Sequence, residues 1–138
     1  MYDIVFISYY EPNADDLYKD LYTRYNSTGV FGDRVKRIKN VKGIHNAHIE
    51  AAKIANTDYF YVVDGDAEVL DSFNFDYIVP NLVEDVVHVW TSINPINDLA
   101  YGYGGVKLLP TQLTRNLDTN SSDMTTSISN NFKVMNEV

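Results

Sequence analysis

Apolar and polar positions along this chain switch repeatedly between a period of two and a period near four. Residues 3–8 (Asp-Ile-Val-Phe-Ile-Ser) are apolar and partly β-branched, which predicts a first strand. Residues 9–13 read as the loop after it. Leu17, Leu21 and Tyr25 then recur at every fourth position, predicting a helix that runs to about Tyr25. Asn13 stands at its N-cap position, and Asp15 and Asp16 complement the dipole of its first turn. Residues 34–39 alternate basic side chains with Val35 and Ile38, the pattern of a strand with one wet face. Residues 43–55 predict a second helix, with Ile44, Ala47, His48, Ala51 and Ala55 on one side. Its alanines allow close packing against a sheet. Tyr59 to Val63 are five consecutive apolar or aromatic residues, as in a parallel strand buried on both faces. Residues 69–77 are irregular, and Pro80 breaks 78–83. Residues 86–93 predict another strand, and 101–109 a glycine-rich turn feeding a last one.

Strand–helix alternation with fully apolar strand runs predicts an α/β fold: a three-layer α/β/α sandwich on a mainly parallel sheet. Residues 4–8 and 59–63 are expected as adjacent inner strands. From Thr111 onward Ser, Thr, Asn and Asp dominate. This divides the chain into a domain over 1–110 and a polar segment over 111–138. The apolar residues of that segment, Met124, Ile128, Phe132 and Val134, have no evident partner. The segment is therefore expected to be mobile or to pack against a second copy of the chain, making a homo-oligomer.

With 138 residues, 45% of them apolar and 13% aromatic, the chain suits one globular domain with a genuine core. No stretch approaches the roughly 20 apolar residues of a membrane span. The first residues lack the basic region and cleavage site of a signal peptide. With no cysteine, disulfides and thiolate metal sites are excluded, and a cytoplasmic location is the default expectation. A net charge of −8 speaks against nucleic acid as a partner. The charge is unevenly spread: Arg34, Lys36, Arg37, Lys39, Lys42 and Lys53 cluster in one segment, and acidic residues dominate the next. The basic cluster reads either as a protected strand edge or as a surface for an anionic ligand.

The chemistry concentrates at Asp64-Gly65-Asp66, directly after the most apolar strand. Open α/β sheets bind ligands beyond the carboxyl ends of their strands. Residues i and i+2 leaving a strand point to one side, so both carboxylates can reach one hard cation. Gly65 permits a tight turn and a close approach. The same tripeptide is also an ordinary acidic turn. Tyr101-Gly102-Tyr103-Gly104-Gly105 reads either as a loop whose aromatics stack on a sugar ring or as a hairpin turn. His45 and His48 lack the spacing of a two-histidine metal site, and no phosphate-binding glycine loop or nucleophile elbow occurs.

Taken in order, these segments resemble glycosyltransferases of the GT-A fold, particularly the large family 2 group. Ser8-Tyr9-Tyr10-Glu11 stands where that family has a segment like Ser-Tyr-Asn-Glu, with Tyr10 in place of the Asn. Asn40-Val41-Lys42-Gly43 and Asn46 match an Asn-x-Gly element opening a helix, and Asp64-Gly65-Asp66 matches the family's Asp-x-Asp (DXD) motif. The resemblance covers roughly residues 3–110. It implies a nucleotide-diphospho-sugar donor and a divalent metal, Mn2+ or Mg2+. By this resemblance Tyr9 and Glu11 line the nucleoside pocket, and Asn46, Asp64, Gly104 and Gly105 belong to the donor site. The resemblance further implies that Asp64 contacts the ribose or the metal and Asp66 the metal and the diphosphate, which makes the two the candidate metal ligands.

The chain departs from the family in two ways. The acidic residue expected at the end of the second strand is missing, Asp33 being at its wrong end. No later carboxylate sits in a base motif, which leaves Asp98 and Asp123 as the candidate catalytic bases. Residues 111–138 then read as a polar tail or as the start of a truncated acceptor-binding region. The expected function is transfer of a sugar from a nucleotide-diphospho-sugar to an acceptor that the sequence does not identify, with poor turnover or none. The alternatives are a nucleotidyltransferase and a non-catalytic module that binds sugar nucleotides or carbohydrate.

Overall fold

The computed structural model describes residues 2–26, 28–29, 32–65, 75–79, 86–90, 92–93, 100–101, 106–117 and 131–135. The elements run β1 (Asp3–Ser8), α1 (Ala14–Tyr25), β2 (Thr28–Gly29), β3 (Gly32–Asp33), β4 (Val35–Lys39), α2 (Ile44–Ile54) and β5 (Tyr59–Asp64). They continue with β6 (Val86–Trp90), β7 (Ser92–Ile93), β8 (Ala100–Tyr101), β9 (Val106–Pro110), α3 (Thr111–Arg115) and β10 (Asn131–Met135). Six strands form one sheet in the order β10-β6-β9-β5-β1-β4. The β1–β4, β1–β5 and β6–β10 pairs are parallel, and β9 runs antiparallel to both of its neighbours. Two short antiparallel ladders, β2–β3 and β7–β8, lie outside this sheet.

The alternation within β1 builds the two cores. Ile4 and Phe6 belong to the cluster that holds Ala14 and Leu21 of α1, with Leu17, Tyr18 and Tyr25 packed against it. Val5, one residue out of phase, joins Ala51 and Ala52 of α2, Ala55 just beyond it, and Leu117 beyond α3. Successive strand residues point to opposite faces, so a strand apolar at every position must be covered twice. Each fully buried Val, Ile or Phe stabilises the fold by about 1.5–3 kcal/mol. Connection handedness explains which helix goes where. A right-handed crossover outward from β1 to β4, then one back past β1 to β5, lays α1 and α2 on opposite faces.

The α/β class, the mainly parallel sheet and the adjacency of β1 and β5 are as the sequence predicts, with register Val5↔Val62. Three details differ. Asn13 occupies the N-cap position of α1 but makes no side-chain capping bond. Thr111–Arg115 forms a helix packed on α2, anchored by Arg115 to the carbonyls of Ala52 (2.9 Å) and Ala55 (3.1 Å). Asn131–Met135 forms an edge strand of the main sheet, pairing Phe132 with Val87. Part of the polar segment is thus built into the same sheet. Its partner, β6, lies some forty residues upstream, beyond what local periodicity reads. Among the described residues, no helix is long and apolar enough to cross a membrane.

Candidate functional site

A cleft of about 370 Å³ opens at the carboxyl ends of β1 and β5 and the first turns of α2. Glu11, Asp64 and Lys107 are its charged lining, joined by Ser8, Tyr9, Gly65, Ile44 and His48. The end of a parallel sheet is where such a cleft is expected, because the loops diverge there to opposite faces.

Two loops interlock to shape the rim. Tyr10 has φ of 57° and Asn40 has φ of 59°, both left-handed. Asparagine tolerates this region, whereas it is strained for a bulky tyrosine. The Tyr10 amide donates to Asn40 Oδ1 at 2.9 Å, and the Asn40 amide donates to the Ser8 carbonyl at 2.8 Å. The Asn40 side chain therefore helps hold the strained turn after β1. Gly43, at φ 90°, opens α2 in a conformation that suits glycine. Tyr9 and Tyr10 meet edge to face at 4.8 Å, and Tyr10 is 73% exposed. With exposed Ile44 they make an apolar rim.

Glu11 folds back, its Oε1 accepting from the Tyr9 amide. Its carboxylate rests directly over Gly65. A Cβ built on Gly65 would lie 2.8 Å from Glu11 Cδ and from both of its carboxylate oxygens. The close approach that Gly65 permits is therefore by a side chain of this protein. In Gly65→Ala the carboxylate, the free end of a flexible side chain, must swing away. We expect near-wild-type thermal stability together with faster hydrogen exchange at the Tyr9 amide. Unchanged exchange there would contradict the contact.

Asp64 ends β5 with its side chain 39% exposed, and Lys107 Nζ lies 3.7 Å from its Oδ1. Lys107 faces Val62 on β5 and Val89 on β6 across the sheet. Cross-strand neighbours share a face, which places Lys107 on the α2 side. Because β9 runs antiparallel, its first residues reach the carboxyl end of β5. His48 is 2% exposed, and its Nδ1 donates to the Ile44 carbonyl at 2.7 Å. Nε2 has no partner. Burial is the main influence on this imidazole and drops its pKa to about 4; the Ile44 carbonyl opposes the change, and Lys107 and His45 add to it.

Tyr9, Glu11 and Asp64 are thus brought together. Asn46 is exposed on the first turn of α2 and is not part of the cleft lining. Asp66, Asp98, Asp123, Gly104 and Gly105 lie outside the described residues. Most of the basic cluster is engaged elsewhere. Arg34 donates to the carbonyls of Tyr2 (2.9 Å) and Phe75 (2.7 Å), Lys36 pairs with Asp3 at 2.9 Å, Arg37 with Asp15 at 2.7 Å and Lys53 with Glu50 at 3.1 Å. Lys42 is exposed between two cleft residues, Val41 and Gly43. Among the described residues Lys107 is the one Lys or Arg that lines the cleft. The lone Lys in the run Val106-Lys107-Leu108-Leu109 is the sequence signal for it, since strands this apolar rarely bury a charge idly.

As for a metal, Asp64 offers hard oxygen, but its Oδ1 already faces an ammonium. The described residues contain no group of three or more His, Asp or Glu side chains able to hold an ion. A scan of protein-family models, a search of curated proteins and a search of solved structures each returned no match.

Proposed function

We propose that the cleft binds a nucleotide-diphospho-sugar and that the domain is glycosyltransferase-like. The observation that carries this reading is the convergence of Tyr9, Glu11, Asp64 and Lys107 at the carboxyl end of a mainly parallel sheet. The exposed rings of Tyr9 and Tyr10 suit stacking on a base or sugar. Glu11 and Asp64 supply acceptors for ribose or sugar hydroxyls, and Lys107 a cation for phosphate oxygens. Pre-formed contacts of this kind orient a donor and hold its anomeric carbon for attack. Mn2+ or Mg2+, where present, would be held by Asp64 and Asp66 and would add to Lys107 in offsetting charge on the leaving nucleoside diphosphate.

Calorimetric titration with UDP-sugars and GDP-sugars, with and without Mn2+, tests the binding. Absence of binding to either series would end the reading. An assay of donor hydrolysis or transfer then separates an enzyme from a binding module. Any gain in nucleotide affinity on adding Mn2+ should be lost in Asp66→Ala. A variant that keeps the wild-type metal response would remove Asp66 from the metal site.

A further inference from the structure

Lys107 is 9% exposed, on a strand held between two others. A charge buried that deeply is costly unless it is matched by an opposite charge and by hydrogen bonds. Among the described residues its match is incomplete. Asp64 Oδ1 at 3.7 Å is an ion-pair contact but too long for a hydrogen bond. No hydrogen bond from Lys107 to a described residue is present. His48, also on the cleft wall, can supply no negative charge in either protonation state.

A divalent cation on Asp64 would sit beside this ammonium as a like charge, and binding at Oδ1 would have to displace it. An oxyanion relieves both problems. It supplies the missing negative charge and accepts the N–H groups that Asp64 is too far away to take. Among the described residues the other charged members of the lining, Glu11 and Asp64, are both acidic, so Lys107 is the cation they offer an anion.

We propose that Lys107 is the resident cation of a diphosphate site, and that the cleft binds a diphosphate-bearing ligand without requiring a divalent metal. This rests on the sugar-nucleotide reading for the identity of the ligand, but not for the anion site itself. Inorganic pyrophosphate therefore serves as an independent probe beside UDP and GDP.

The test is calorimetry of the wild-type chain and of Lys107→Met with each probe, in EDTA and in Mn2+. The wild type should bind in EDTA with an affinity within about tenfold of that in Mn2+. Lys107→Met should lose roughly thirtyfold or more in EDTA, the scale expected when a buried ionic partner is removed. Lys107→Gln, a polar replacement of similar length, should lose as much. If neither variant folds, the wild-type titration in EDTA decides, read also through the Lys107 Cε–H resonances, which should shift on addition of pyrophosphate.

Wild-type binding that vanishes in EDTA overturns the proposal, as do Lys107 resonances that do not move or a folded Lys107→Met that binds pyrophosphate like the wild type. Pyrophosphate binding that depends on Lys107, with no affinity for either nucleotide, leaves Lys107 standing and removes the sugar-nucleotide reading. No binding of any probe overturns both.

Discussion

Replacing Tyr61 with alanine should cost about 3–5 kcal/mol of folding stability, the scale of large aromatic truncations in a core. Tyr61 is fully buried on β5 at the centre of the α1-side core. Its ring meets Phe75 edge-on at 4.9 Å, Trp90 at 5.6 Å and Tyr2 at 6.3 Å. Its hydroxyl donates to the Tyr77 carbonyl at 3.1 Å, tying the 75–79 segment to the sheet. Burial pushes its phenol well above the ordinary tyrosine range, so the hydroxyl stays protonated as a donor. Total stabilities run to about 5–15 kcal/mol, so this one change could consume most of the margin. Tyr61→Phe keeps the ring and removes one hydrogen bond, a loss of about 1 kcal/mol. Urea unfolding of the two variants separates packing from the hydrogen bond. An alanine variant within about 1 kcal/mol of wild type would mean that this core collapses around the cavity far more readily than cores usually do.

Acid should weaken the fold through His48. The folded imidazole titrates at about 4, chiefly because it is buried, against about 6.5 in an unfolded chain. Between these values the unfolded state binds more protons, so stability rises with pH. The contribution is fully present above about pH 6.5 and is lost as pH falls toward 4. At about 1.36 kcal/mol per pH unit, it amounts to about 3 kcal/mol. Denaturant titrations at half-unit steps should show this slope in the wild type and a flatter one in His48→Gln. Equal slopes in the two proteins would exclude His48 as the titrating group.

Much of this protein was readable from local pattern. A short uninterrupted apolar run at 59–63 reads as a strand covered on both faces, and residues 60–63 are buried in one. Small residues at helical spacing placed Ala51 and Ala55 against the sheet, where packing with Val5 and Val62 buries them. Asp64 followed from its position at the end of such a strand. Each of these conclusions depends on residues a few positions apart, and dihedral preference and side-chain period act at that range.

The rest depends on contacts between distant residues. Lys107 reaches Asp64 only because β9 inserts antiparallel between β5 and β6, a pairing across more than forty residues. Glu11 lies over Gly65 because β1 and β5 are neighbours whose loops meet. The strain at Tyr10 persists because the side chain of Asn40, thirty residues later, holds the turn. Residues 131–135 read as part of a polar tail, yet they pair with β6. A strand edge offers backbone hydrogen bonds to any extended segment that reaches it, whatever its side-chain pattern. The sequence by itself determined which segments are strands and helices and which residues carry charge at a strand end. Only the tertiary structure decided which of those charges face one another, because pairing across the sheet is set by strand order, which no local period encodes.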